Sequence, residues 1–147
     1  VQDVQAQLLS GKVKAGLLAE PAATATIAKA KEKGIKLSVL TDLQEKESKD
    51  HQKGYPQAAI FVKDKDKTAS VLQDIETFLN EGCKDEQKVS AYIEKIGADQ
   101  LGIPNAKIAL ASWQHQNLKF VKADAVTNDI AEFLKLFKIV FDEGMLI

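Results

Sequence analysis

The sequence predicts an α/β fold in which helices pack on a small, mostly parallel sheet. Three apolar or alternating segments are typical of strands: Val13–Ala19, Ile35–Leu40 and Ala58–Val62. Segments with the 3.6-residue period of amphipathic helices separate and follow them. Because strands that alternate with helices usually form βαβ units, this order favours parallel strands.

The N-terminal part reads as helix, strand, helix, strand and loop. The first amphipathic stretch ends at Gly11, and glycine is the usual residue just past a helix end. Pro21 opens an alanine-rich helix, since its missing N–H would be unpaired at the first helical position anyway. Gly34 closes that helix and the second strand follows. Thr41–Gly54 is polar and aperiodic, which predicts a loop with room for a helical turn.

The C-terminal part is predicted to be mostly helical. A helix is expected over Lys67–Glu81, and Asp85 is expected to cap the next one. A loop at Gly97–Lys107 and two short strand-like runs, Ile108–Ala111 and Leu118–Val121, precede a final amphipathic helix.

The charge balance argues against nucleic-acid binding. The chain has 147 residues with a net charge of −1, and all 20 basic residues are lysine. Without arginine the chain has no bidentate fork for phosphate, sulfonate or guanine. An anionic ligand would therefore need lysine, backbone N–H groups or a partner segment.

No catalytic, metal or cofactor site is predicted. His51 lies in the polar loop without a second His or Cys at ligand spacing, which favours a solvated surface position. His115 lies in a polar insertion without a motif for a paired nucleophile. Cys83 follows Gly82 at a helix end, where a structural role is favoured over a nucleophilic one. Neither glycine-rich phosphate-loop pattern occurs in the chain.

The turn at Glu20-Pro21 is the leading candidate for ligand binding. Ligands of open α/β sheets bind beyond the carboxyl ends of strands, where helix N-termini present free N–H groups. Ala22, Ala23 and Thr24 would supply those donors, and their small side chains would let a ligand approach. Glu20 could accept hydrogen bonds from a ligand amine, amide or hydroxyl. The alternative is that Glu20 only caps the helix and complements its dipole.

Trp113 and Asn117 form a second candidate cluster. They lie in a polar stretch between the two strand-like runs. A tryptophan in such a stretch can be a ligand platform or a half-buried core residue, and the sequence leaves both open.

Four motifs together resemble the C-terminal portion of one protein family. The segment from Gly11 to Ala23 resembles the "G-K-V-D-A…E-P-A" stretch of ABC-importer substrate-binding proteins of the nitrate, sulfonate, taurine and thiamine-precursor type. Similar likenesses occur at 55–62, at the helix through Phe78-Leu79, and at 117–123, which matches "N-L-x-F-V-x-A". Lys14 departs from the family, which usually has Asp there.

The resemblance implies a two-lobed clamshell of the type II periplasmic-binding-protein kind. Residues 1–54 would be the C-terminal part of one lobe and 55–147 the returning part of the other. Glu20, Pro21 and Ala22 would face the cleft, with Asn117 a weaker candidate. The ligand would be a sulfonate, another anion or a heterocycle, and an ABC permease would receive it.

The resemblance also implies an extracytoplasmic location, either periplasmic or as a membrane-anchored lipoprotein. The chain starts without an initiator Met or a signal peptide, so it is expected to be a fragment lacking its N-terminal part. Two alternatives remain open: a clamshell enzyme related to pyrimidine-precursor synthases, or an interaction domain without a small-molecule ligand.

Overall fold

The computed structural model describes residues 1–50, 54–142 and 144. Over these residues the chain is helical, with seven α-helices: α1 (Gln2–Leu9), α2 (Ala22–Glu32), α3 (Leu43–Asp50), α4 (Lys65–Asn80), α5 (Glu86–Ile96), α6 (Ala106–Ser112) and α7 (Thr127–Leu136). Three short 3-10 helices lie at Gly82–Lys84, Trp113–Gln116 and Ala123–Val126.

The predicted α/β fold is wrong. None of the residues that the structure describes lies in a strand, so a clamshell lobe with helices on a parallel sheet is excluded for this chain. Val13–Ala19, Ile35–Leu40 and Ala58–Val62 lie outside helices, and the side chains of Leu17, Leu40 and Phe61 are 76%, 91% and 79% exposed. A strand needs a neighbouring segment to satisfy its N–H and C=O groups, and local apolar pattern does not supply one.

The two short strand-like runs have other structures. Ile108–Ala111 belongs to α6, which begins where the Asn105 side chain accepts a hydrogen bond from the Ile108 N–H at 2.9 Å. A run of four apolar residues fits a helix as well as a strand, so the Asn105 cap determines that this segment is helical. Leu118–Val121 connects two 3-10 helices.

Helices with strong local signals are confirmed. The helix predicted over Lys67–Glu81 is α4, and Asp85 caps α5 by accepting from the N–H groups of Gln87 and Lys88 at 3.0 and 3.2 Å. The polar segment after Thr41 contains the full helix α3, which Asp42 caps through the N–H groups of Gln44 and Glu45.

The chain divides into two compact units. Unit 1 comprises Val1–Ser38 and Phe78–Lys119, and unit 2 comprises Val39–Thr77 and Phe120–Ile147. The chain passes from one unit to the other after Ser38, within α4 after Thr77, and after Lys119.

Unit 1 has a small apolar core. Val89 and Ile93 of α5 are buried against Ala109 of α6, and Ile103, Leu110 and Trp113 pack around them. α2 packs against both α1 and α6.

Unit 2 is held by aromatic and polar contacts. The Tyr55 ring stacks on Phe133 of α7 at a centroid distance of 5.6 Å, and Phe137 meets Phe133 edge-on at 5.3 Å. An ion pair joins Lys122 Nζ and Glu76 at 3.6 Å.

The accessible surface is large for the mass of the chain. It amounts to 11533 Å². A compact monomer of this mass exposes about 7,400 Å². Exposed apolar side chains such as Leu40, Phe61 and Val140 contribute to this surface.

Candidate ligand site at the start of helix α2

The Glu20 side chain closes back on the first turn of α2. Its Oε2 atom accepts a hydrogen bond from the Thr24 N–H at 3.2 Å, and the side chain is half-buried. The Glu20-Pro21 peptide bond is cis. The hydrogen bond between Glu20 and Thr24 is that of a helix cap, which was the alternative role for Glu20. The second carboxylate oxygen can still accept a hydrogen bond from a ligand.

The amide donors expected at this turn are partly occupied. The Ala23 N–H donates to the Ala19 carbonyl at 3.1 Å, and the Thr24 N–H donates to Glu20. Pro21 has no N–H, and its carbonyl accepts from Ala25 at 3.0 Å. The turn therefore presents a carboxylate acceptor rather than a set of free N–H donors. Such a turn suits a ligand with N–H or O–H groups better than an anion.

Helix α1 holds the first turn of α2 in place. Gln5 Nε2 donates to Thr26 Oγ1 at 2.8 Å and to the Ala22 carbonyl at 3.3 Å. Thr26 Oγ1 donates to the same carbonyl at 2.7 Å, and Thr26 is 1% exposed. This part-buried network fixes the position of Ala22 relative to α1.

The segment before the turn also approaches α1 closely. A Cβ atom at position 16 would lie 2.6 Å from Val4 Cγ1 and 3.2 Å from Leu8 Cδ1. Only glycine fits there without a shift of those side chains.

Trp113 and Asn117 have local structural roles. Trp113 is half-buried and packs on the Val89–Ile93–Ala109 cluster. Asn117 is exposed and ends the 3-10 helix in the left-handed conformation, with φ 50° and ψ 41°, which asparagine tolerates better than most residues. Within the described ranges, no hydrogen bond, ion pair or ring contact joins either residue to the Glu20 turn. The structure thus keeps the two predicted clusters as separate features of unit 1.

The residues considered for catalysis do not converge. Cys83 is buried in the 3-10 helix Gly82–Lys84, and desolvation raises the pKa of its thiol. His115 is exposed in the 3-10 helix Trp113–Gln116, whereas His51 lies outside the described residues. Within the part of the chain that the structure describes, no group of three or more His, Cys, Asp and Glu side chains could hold a metal ion.

Unit 2 contains a pocket that sequence reasoning missed. Its volume is about 160 Å³, and its lining is Glu47, Gly54, Asp129, Glu132, Phe133 and Leu136. Four of these lie at i, i+3, i+4 and i+7 on α7, a spacing that places them on one face. The periodicity could have revealed that face, but not the approach of the other two residues.

Comparisons of the chain with protein-family models, with curated proteins and with solved structures find no match. Among the described residues, the helices are too short or too polar to cross a membrane.

Proposed function

We propose that the chain is part of an extracytoplasmic solute-binding protein of an ABC importer, and that the Glu20 turn contacts the solute. The observation that carries this proposal is the half-buried Glu20 carboxylate, which Thr24 holds at the start of α2. Small side chains follow at Ala22 and Ala23, so a ligand can reach the carboxylate. The resemblance of the Gly11–Ala23 segment to the family's "E-P-A" stretch points to the same turn.

The exposed apolar segments support a role as part of a larger assembly. Leu17, Leu40 and Phe61 lie in the three connecting segments whose residue pattern is typical of strands, and all three side chains are exposed. Burial of apolar surface contributes about 25 cal/mol per Å², so covering these segments would add substantial stability. In the proposal, the N-terminal remainder of the protein covers them, and the permease is the downstream partner.

The chemistry of the turn favours one solute class. An ionised carboxylate accepts hydrogen bonds and repels anions. A heterocycle with amino or ring N–H groups is therefore preferred over a sulfonate or nitrate, which this arginine-free chain would have to hold with lysine.

Thermal unfolding of the full-length parent protein tests the proposal. We expect an aminopyrimidine to raise the melting temperature, and taurine and nitrate to have smaller effects. Calorimetry should then show that Glu20→Gln weakens binding at least about tenfold, or about 1.4 kcal/mol. Glu32→Gln, at the exposed end of α2, is the matched control and should bind normally. Unchanged affinity of Glu20→Gln would leave Glu20 as a helix cap only, and turnover of the ligand would favour an enzyme.

The large accessible surface also supports a second function, that of a protein-interaction domain. The two functions differ in their ligand response. If none of the three small molecules changes the melting temperature of the full-length protein, and a protein partner does, the interaction domain is favoured.

A further inference from the structure

Burial is concentrated in one of the two compact units. Ten described residues are buried: Leu8, Ala25, Thr26, Ala30, Cys83, Val89, Ile93, Ile108, Ala109 and Ser112. All of them belong to unit 1. Most of them belong to α2, α5 and α6, and α6 packs on both of the other two helices.

Unit 2 places much of its apolar surface in solvent. Of the 17 large apolar residues that are exposed in the described part of the chain, 11 belong to unit 2: Val39, Leu40, Leu43, Ile60, Phe61, Val71, Val121, Leu136, Phe137, Ile139 and Val140. Four of these follow one another closely at the end of α7, where Leu136 is 72% and Val140 is 91% exposed. The hydrophobic contribution to the stability of unit 2 is correspondingly small.

The helices α3, α4 and α7 have no buried residue among those that the structure describes. α3 has eight residues and α7 has ten, and helices of this length are marginal in water without packing. Their contacts include the Tyr55–Phe133 stack and the hydrogen bonds of Gln44 with Tyr55. Loss of one such contact should therefore destabilise the helices that it joins.

We propose that unit 2 opens as a separate cooperative unit, at a lower free-energy cost than unit 1, while unit 1 stays folded. Cooperative units of differing stability are common within one native protein, and those with few buried apolar contacts open first. The segment that opens is expected to end within α4, before its last turn. Phe78 meets the Tyr92 ring of α5 edge-on at 5.0 Å, so the last turn of α4 remains protected with unit 1.

Native-state hydrogen exchange of the 147-residue chain at increasing urea concentrations tests this proposal. We expect the amides of α5 and α6 to exchange only through global unfolding, with a steep urea dependence. The amides of α3, α7 and the first turns of α4 should exchange through a smaller opening with a shallow urea dependence. The change in behaviour along α4 should fall near Phe78.

One variant in each unit sharpens the test. Phe133→Ala should speed exchange in α3 and α7 by about tenfold and leave α5 and α6 unchanged. Ile93→Ala, in the unit 1 core, should speed exchange in α5 and α6. The proposal is overturned if α7 and α5 exchange with the same free energy and urea dependence, or if Phe133→Ala speeds α5 as much as α7. No ligand is needed, so the outcome is independent of the proposed solute.

Discussion

The side-chain amide of Gln44 pairs with both backbone groups of Tyr55. Gln44 Nε2 donates to the Tyr55 carbonyl at 2.7 Å, and the Tyr55 N–H donates to Gln44 Oε1 at 3.2 Å. The pairing joins the second residue of α3 to the segment before α4, and the Tyr55 ring in turn stacks on Phe133. One glutamine thereby positions the aromatic contact between Tyr55 and α7.

Removing this pairing should destabilise unit 2. Gln44→Ala deletes two part-buried hydrogen bonds, each with a net value of about 1 kcal/mol, so the free energy of opening should fall by about 1–2 kcal/mol. Urea titration followed by hydrogen exchange in α7 measures the change. Gln73→Ala, at an exposed position of α4, controls for helix propensity. Equal stability of the two variants would show that the pairing contributes nothing.

A methyl group at Gly16 should disturb the packing of α1. Gly16→Ala places a Cβ atom 2.6 Å from Val4 Cγ1, and overpacking of this kind costs about 1–3 kcal/mol. Chemical denaturation measures the cost. In a Val4→Ala background the methyl group has room, so we expect the same substitution to cost less there. An equal cost in both backgrounds would assign the effect to the backbone instead.

Asp64 should make stability depend on pH. Lys67 Nζ lies 3.0 Å from Asp64 Oδ2, and the Lys67 N–H donates to Oδ1 at 3.1 Å, which together lower the pKa of this carboxyl group. Because the folded pKa is below the unfolded one, the contribution is present above about pH 4 and is lost as pH falls through the folded pKa.

The melting temperature of Asp64→Asn, measured against pH, tests this expectation. The variant should melt below the parent near neutral pH, and the difference should vanish in acid. The side chain is exposed, so added salt should also reduce the difference. Asp74→Asn, at an exposed position within α4, is the control and should show a smaller difference. A difference that persists unchanged in strong acid would contradict this origin.

Cys83 should be an unreactive thiol in the folded chain. Its burial raises the pKa of the thiol, so little thiolate forms, and reagents also have poor access. We expect a disulfide reagent to label it at least about tenfold more slowly in buffer than in urea. Because the pKa of the thiol is higher in the folded chain than in the unfolded chain, the protonated thiol favours the folded state. This contribution to stability is lost as pH rises through the folded pKa. Equal labelling rates would show that Cys83 is accessible.

Local signals predicted the helices but not the connections between them. α4 and α5 follow from apolar faces and from the cap at Asp85, which involve residues close in sequence. The segments Val13–Ala19 and Ala58–Val62 carry the composition of strands, but a strand also requires a distant partner. Apolar composition alone could not show that such a partner is missing among the described residues.

The position of Glu20 could be predicted from the sequence, whereas the hydrogen bonds of the turn could not. Glu20 lies at the start of α2 as expected, because Pro21 and the alanines that follow mark a helix N-terminus. The N–H groups of Ala23 and Thr24 already donate hydrogen bonds within the chain. These bonds depend on the path of the backbone before α2, which the residue pattern does not specify. The unit 2 pocket and the Gln44–Tyr55 pairing join residues of different segments, so the periodicity of a single helix could not reveal them.

Trp113 is the one tryptophan of the chain, and it packs on the unit 1 core. Its emission wavelength is therefore a built-in optical probe of that unit, without any label. Far-ultraviolet circular dichroism instead sums over every helix. A red shift of the emission that lags behind the loss of circular dichroism during denaturation would be the spectroscopic signature of a partly folded intermediate.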